Sequence, residues 1–447
     1  MTGYAEKTAQ LLSAIASAQP AQGPVVGLSK ATSNLFRDRA RRSPRIDLSH
    51  FNEVIAVDPA EHFVEAEGMT TFVDLADATL ARGAMPAVVP QLKSITLGGA
   101  VAGVGIEATS FRQGLVHDTV IAMDILTGDG RIVTCAPGNE HRDLFHGFPN
   151  SYGTLGYALK LTARTRPVGR YVRVEHARHV DADRYFAALA QACSDDAVDF
   201  VDGVAFARDD LVLSRARFVD DAPRVSDYTY EAVYYRSLRD KPVDYLTTRD
   251  YLWRWDTDWF WCSKNIGAQR PLVRTLLGRE RLNSITYQKI MRWNTRWHLT
   301  GALNRLRGVH SESVIQDVDI PIARAAEFLD FLHRDVAILP IWICPIRAPV
   351  PGADALLYPL PRGTLSVNFG FWDTVSSRET RPAGFVNRKI ERKVQEVGGV
   401  KSLYADSYFT KDEFWSIYDG NAYRALKARY DPQGVLGDLY EKVVLRR

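Results

Sequence analysis

Hydrophobic and polar positions divide the chain into short stretches of two different periods. From Leu48 onward two alternating runs, FNEVIAV and HFVEAEG, flank Asp58-Pro59 and predict an antiparallel hairpin. TTFVDLADATLARG (70–83) changes to helical spacing, with Phe72, Leu75, Ala76, Thr79 and Leu80 on one face and Gly83 where a helix should end. Residues 87–106 are apolar and glycine-rich. VIAMDILTGDGRIVTC (120–135) predicts a second hairpin, with Gly128-Asp129-Gly130 at its tip. RDLFHGF (142–148) reads as a short helix, and GTLGYALKLTART (153–165) as a glycine turn entering a strand.

Past Pro167-Val168-Gly169 the texture changes. YVRVEHARHV and VDGVAFARDDLVLSRARFV are strand-like, and DADRYFAALAQAC between them is helical, which predicts a second α+β domain. Residues 250–310 hold six of the nine tryptophans. Residues 321–333 read as an amphipathic helix opened by Pro321. ILPIWICPI (338–346) and TLSVNFGFW (364–372) are buried-strand candidates, and the tail from Lys411 is mostly helical. Residues 1–25 read as an amphipathic helix and a linker. The apolar part of that helix is short and broken by serines, and Lys7 is offset by Glu6, which argues against a processed signal.

Composition narrows the class. The 447 residues carry 56 basic and 53 acidic side chains, a net charge of +3, too even for a general nucleic-acid binder. No apolar run approaches the roughly 18 residues of a membrane span. Cys135, Cys193, Cys262 and Cys344 are scattered, which excludes a CxxC metal site or a disulfide scaffold and fits a reducing cytoplasm.

Candidate chemistry concentrates on two glycine segments. TLGGAVAGVGIEATSFRQGL (96–115) holds Gly98, Gly99, Gly103, Gly105 and Gly114, positions where a backbone can approach a ligand and aim N–H groups at phosphate. Its Gly103-x-Gly105-x-x-Ala108 window lacks the strand before and the helix within that a Rossmann turn requires. The segment is read instead as a glycine loop. Ser151-Tyr-Gly-Thr-Leu-Gly156 follows about fifty residues later, beyond the DG hairpin.

Together, VVPQLKSITLGGAVAGVGIEATSFRQGLVHD, the hairpin and DLFHGFPNSYGTLGYALKLTART resemble the FAD-binding domain of the vanillyl-alcohol-oxidase (PCMH-type) flavoprotein superfamily. DLFHGFPNSYGTLG, VIQDVDIP, ILPIWICP and LYADSYFTKDEFWSIYDG are similar to segments of the delta(24)-sterol reductases of the Diminuto type. The opening KATSNLFRDR resembles actinobacterial enzymes that reduce 10-methylene to 10-methyl fatty acyl chains. The resemblance implies an α+β fold: an N-terminal helix and linker (1–24), an FAD-binding domain (25–170) of two subdomains (25–85 and 86–170), a substrate or cap domain (171–400), and a C-terminal segment (401–447) returning to the flavin. It implies cofactor contacts at Thr96, Gly98, Gly99, Gly103, Gly105, Ile106, Glu107, Ser110, Gly114, Gly153, Thr154, Gly156 and Tyr157, and a pyrophosphate loop at Ser29–Asn34, where SKATSN lacks the usual glycines. The loop Ile106–Ser110 has no histidine or cysteine to attach FAD covalently, so non-covalent FAD is expected; His117 lies further on. NADPH is the implied electron donor, a phospholipid acyl chain the implied substrate, and a methyltransferase the implied partner.

An isolated C=C has no carbonyl to stabilise a carbanion. Its reduction calls for a protonated acid, aromatic faces near the developing cation, and hydride from reduced flavin. Candidates for the acid are Glu107, Asp317, Tyr404, Asp406 and Tyr408; Asp406 or Glu107 is expected to be the acid or its hydrogen-bonded partner, with Tyr404 and Tyr408 as the alternative donors. Tyr404, Asp406 and Tyr408 alternate and are expected on one face of a strand. Glu107 either faces the flavin or caps a turn, and Asp317 is read as a salt-bridge partner. The Trp-rich run 251–261 either packs a core or lines a hydrocarbon pocket. Residues 270–307, with nine Lys/Arg and one acid, either form a solvated basic face or rest on an anionic membrane, which would put a cytoplasmic enzyme at the inner face of the cell membrane. A sterol reductase, an alcohol or polyol oxidase of the same superfamily, and a non-enzymatic lipid-binding protein are the competing readings.

Overall fold

The computed structural model describes residues 3–17, 27–29, 36–37, 45–230, 232–297, 310–350 and 355–447. Both hairpins form. Val54–Asp58 pairs with Phe63–Glu67, and Val120–Leu126 with Ile132–Cys135. They join one sheet in the order Val54–Asp58, Phe63–Glu67, Tyr157–Pro167, Val120–Leu126, Ile132–Cys135, with Ala84–Pro86 on the far end of the long strand. The helix Phe72–Leu80 begins where Thr71 accepts the Asp74 N–H at 3.3 Å, which satisfies one of the orphan donors of its first turn.

The second sheet has eight antiparallel strands. Its order is Val243–Thr247, Tyr171–His179, Asp210–Val219, Phe200–Ala207, Ile341–Ile346, Ser366–Ser377, His310–Pro321, Val400–Lys401. Strand alternation gives it two different faces. Val314, Val318, Ile320, Ile343, Val367 and Phe369 pack with the side chains of helices Ala182–Cys193, Ala325–Phe331 and Phe385–Glu396. Trp342, Cys344, Ile346 and Trp372 turn the other way and share a core with the first lobe. The C-terminal helices lie on that first lobe: Lys442 donates to the Tyr152 carbonyl (2.7 Å), Lys427 to that of Thr154 (3.1 Å), and Arg429 to Asp143 (2.8 Å).

Three expectations change. Leu97–Ala102 is a short helix rather than a loop, because Thr96 caps it by accepting from the Gly99 N–H (3.3 Å) and Gly98 lets it lie on Gly68. Pro321 ends a strand, and the helix starts only at Ala325 after a 3₁₀ turn. Residues 402–410 form no ladder: they hold a turn at Leu403 and Tyr404 and one bridge, Phe36 to Ala405.

The helix Tyr4–Ser17 is tied to the first lobe through a buried ion pair. Lys7 Nζ reaches both oxygens of Glu67 at 3.0 and 2.8 Å. Lys7→Met should destabilise the protein by about 3–5 kcal/mol, because Glu67 is left charged and uncompensated. Lys7→Met combined with Glu67→Gln should recover most of that loss in denaturant melts.

Candidate active site

On the strand His310–Pro321, Ile315, Asp317 and Asp319 point toward the first lobe. Asp317 lies opposite Gly370, where a Cβ would come within 2.6 Å of Asp317 Oδ1 and 2.7 Å of the Trp372 ring. Glycine there leaves room for the carboxyl. Trp372 Nε1 donates to the Tyr404 hydroxyl at 3.1 Å. Since an indole N–H is only a donor, the Tyr404 proton is left to bond Asp317. Burial and the nearby Asp319 carboxylate push Asp317 up to about 8, against the pull of the Tyr404 hydrogen bond. Among the described residues no cation pairs with it, and its Oδ1 is buried without a hydrogen-bond partner. The expected salt-bridge role is therefore overturned: the strand turns this acid toward a lobe that offers it aromatic rings.

Those rings are Phe36, stacked on Trp259 (5.3 Å) and edge-on to Tyr404 (5.7 Å), and Phe260, 4.5 Å from Trp372 and 5.4 Å from Trp342. Trp259 and Phe260 both have left-handed backbones (φ 44° and 58°), strain that the surrounding packing must hold. Trp253, Trp255, Trp259 and Trp261 are all buried, so the run is core, and Trp259 also extends into the aromatic wall.

The two glycine segments meet this wall from the other side. Tyr152 sits at φ 48° between Asn150 (63°) and Gly153 (77°), and Val104 at 52° between Gly103 and Gly105. A Cβ on Gly103 would lie 3.5 Å from the Tyr152 ring. Arg37 lies over that ring at 4.9 Å, and the Tyr152 hydroxyl accepts from the Leu403 N–H. Tyr152, Asp317 and Tyr404 lie deep in the protein yet keep part of their surface open, as do Gly103, Gly105 and Ile106. These partly accessible residues lie at the junction of the two lobes.

The other glycine-segment residues hold the scaffold. Gly98 lies on Gly68, Gly105 against Pro90 and Val116, and Gly156 (φ 143°) against Ile125 and Leu126. Ser110 accepts from the Glu107 N–H at 3.1 Å, and Gly114 (φ 76°) ends a short helix. Thr154 bonds the Ser151 carbonyl at 2.8 Å, and Tyr157 fills the space beside Gly153. Of Ser29–Asn34, only Ser29 is among the described residues, paired with Asp47.

The remaining acid candidates go elsewhere. Glu107 is buried against Arg254 (3.1 Å), which also binds Asp202 (2.8 Å). Burial, opposed by Arg254, lifts Glu107 to about 7. Asp406 pairs with Arg446 at 3.2 Å, and Arg446 donates to the Tyr408 hydroxyl at 3.0 Å; both line a surface pocket beside Glu312 and Gly384. Tyr404, Asp406 and Tyr408 do alternate with buried Leu403, Ala405, Ser407 and Phe409, but no strand forms beyond the Ala405 bridge, and their partners differ: Tyr404 bonds Trp372, while Asp406 and Tyr408 bond Arg446 at the surface pocket.

Residues 3–136 match a protein family described as an FAD binding domain. The chain is an FAD-dependent oxidoreductase. This flavoenzyme is 25% identical over 405 residues to the human delta(24)-sterol reductase, covering 88% of this chain and 76% of that protein. It is 24% identical over 463 residues to the Arabidopsis thaliana delta(24)-sterol reductase, covering 92% and 78%. It is 25% identical over 155 residues to cytokinin dehydrogenase 9 of rice, covering 35% of this chain and 26% of that protein.

The residues where the lobes meet fit such a cofactor. Both amide atoms of Gln91, Ser151 Oγ and Asn150 Oδ1 are buried with no partner among the described residues, and they lie on or beside the glycine segments. Bound FAD would supply a hydride. Gly103, Ser151–Gly153 and Gln91 would hold it, while Arg37 orders Tyr152. Gly103→Val should push Tyr152 aside and abolish flavin loading while a cooperative melt persists; flavin absorbance of the purified variant checks this. Arg254→Met should cost about 3–5 kcal/mol by stranding Glu107 and Asp202, read as a lowered denaturant midpoint.

Proposed function

We propose that this flavoenzyme reduces an unactivated carbon–carbon double bond in a lipid, with a 10-methylene fatty acyl chain as substrate and NADPH as electron donor. The observation that carries this reading is the placement of Asp317 where the lobes meet. It sets a carboxyl without a counter-ion beside Trp372, Tyr404, Phe36 and Trp259, which is what protonation of an isolated alkene demands. The sterol reductases among the relatives support the reaction class. They also favour a second substrate, a sterol side chain, because that is the substrate their names give. The acyl chain rests on the resemblance of KATSNLFRDR, and its natural partner is a methyltransferase that makes the methylene group.

The chain's own residues do the following work in this reading. The glycine segments bind the cofactor, the aromatic wall excludes water and faces the developing cation, and the acid at the lobe junction delivers one proton. FAD is held non-covalently, since Ile106–Ser110 offers no histidine or cysteine. Acid precipitation should leave the flavin in the supernatant; yellow colour retained in the pellet would contradict it.

Delivery of the lipid involves the helix Pro271–Leu277. Leu272 and Leu276 are 81% and 82% exposed one turn apart, beside exposed Arg270, Arg279 and Arg281. Arg274 takes no part, being buried against Asp258 at 2.8 Å. Residues 298–309 of the basic stretch lie outside the described residues. Arg279 is paired with Asp227 at 2.9 Å, so Arg270 and Arg281 are the cations that flank the exposed apolar pair, a pattern that suits an anionic bilayer surface. Leu272→Asp with Leu276→Asp should abolish binding to phosphatidylglycerol vesicles, and wild-type binding should weaken with salt.

The reaction is tested by reducing the enzyme anaerobically with NADPH or NADH, then adding methylene-branched lipids in deuterated water. Solvent deuterium at the protonated carbon of the saturated product, with or without a second delivered through the exchangeable flavin N–H, supports the assignment. Flavin reduced readily by alcohols, and then indifferent to alkenes, would move it to the oxidase reading.

A further inference from the structure

We infer that Asp317 carries the proton added to the double bond, and that Tyr404 is a positioning residue that holds its carboxyl in place. This rests on the proposed alkene reduction and goes beyond it by naming the donor.

Elimination and geometry converge on the same group. Glu107 is bound to Arg254, and Asp406 to Arg446 at a surface pocket. Asp319 shares the strand face, but its two oxygens accept from the Tyr358 hydroxyl (2.5 Å) and Asn368 Nδ2 (2.7 Å). Tyr404 has its proton on Asp317, and a phenol is a far weaker acid than a carboxyl. That leaves Asp317. One side of its carboxyl is fixed by Tyr404, and Oδ1 is buried, unpartnered and seated over Gly370. The titratable groups facing it are Asp319 on its own strand, Tyr404 on the 402–410 segment and Tyr152 on the glycine segment, the last with Arg37 over its ring. None of them is a cation in contact with the carboxyl. Burial and Asp319 keep the proton on Asp317 to about pH 8.

The step balances. The π pair of the alkene takes the Asp317 proton to form one C–H bond at the less substituted carbon, and the O–H electron pair stays behind on the carboxylate. The cationic character left at the more substituted carbon accepts the hydride supplied by reduced flavin. Solvent then returns one proton to Asp317.

Asp317→Asn preserves the side-chain volume and tests the inference with three readouts. In difference infrared spectra at pH 7, wild type should show a protonated-carboxyl band that the variant lacks. In melts, the folded state holds a proton that the unfolded state releases above about pH 4, so the stability associated with Asp317 is full below that pH and falls as pH rises toward 8. The Asn variant should lack this component, so the two curves diverge over that window. Turnover should drop ~10²–10⁴-fold while flavin loading persists, and wild-type turnover should decline as pH passes about 8. Asp317→Glu should restore the infrared band and part of the rate, which a purely structural role would not do. An unchanged infrared spectrum, or turnover within about tenfold of wild type, overturns the inference. If wild type saturates no lipid alkene, the proposed function fails instead, and the infrared spectrum still decides whether Asp317 holds a proton.

Discussion

A largely buried carboxyl with no counter-charge among the described residues sets the terms for this structure. A buried acid of this kind keeps its proton, and keeping it there costs stability that other contacts must offset. Much of the surrounding architecture serves that placement. The eight-stranded sheet turns Asp317 toward the first lobe, Gly370 opens the space beside it, and the Trp372–Tyr404 hydrogen bonds fix its orientation. The contrast lies on the same side of the sheet, where Glu107 and Asp202 are buried but share Arg254. Charge compensation makes that trio part of the scaffold, and its absence makes Asp317 chemically available.

The same logic explains where strain collects. Of the nine non-glycine residues with left-handed backbones among those described, five (Val104, Asn150, Tyr152, Trp259 and Phe260) lie on or beside the glycine segments or on the aromatic wall. Such conformations persist only where dense packing over-determines them. Here the packing comes from both lobes: Lys442 and Lys427 clamp the 152–154 carbonyls from the C-terminal segment, while Phe36 bridges Trp259 and Tyr404. The junction is thus built by chain segments distant in sequence.

That distance is why the sequence disclosed the fold better than the site. The hairpins, the Thr71-capped helix and the tail helices follow from local periods and turn residues, which a window of a dozen residues contains. The FAD domain was legible through its two glycine segments and their resemblance. Asp317 was undervalued because its decisive property is something missing, a counter-ion, and no local pattern reports that. A usable signal was present: in VIQDVDI, Asp317 and Asp319 share one face of a strand, and the stretch contains no Lys or Arg. Tyr404, Asp406 and Tyr408 misled in the opposite way. Their alternation survives in the fold, but Tyr404 bonds Trp372 while Asp406 and Tyr408 bond Arg446, so one open side does not make one site.

The account stands on flavin and acid sharing a single site where the lobes meet. A crystal structure of the FAD-loaded enzyme tests this most directly. The isoalloxazine should lie between Tyr152 and the face of the sheet that carries Asp317 and Trp372, with space for a hydrocarbon chain between ring and carboxyl. An isoalloxazine bound away from that face, with Asp317 sealed off from it by protein, would contradict the account.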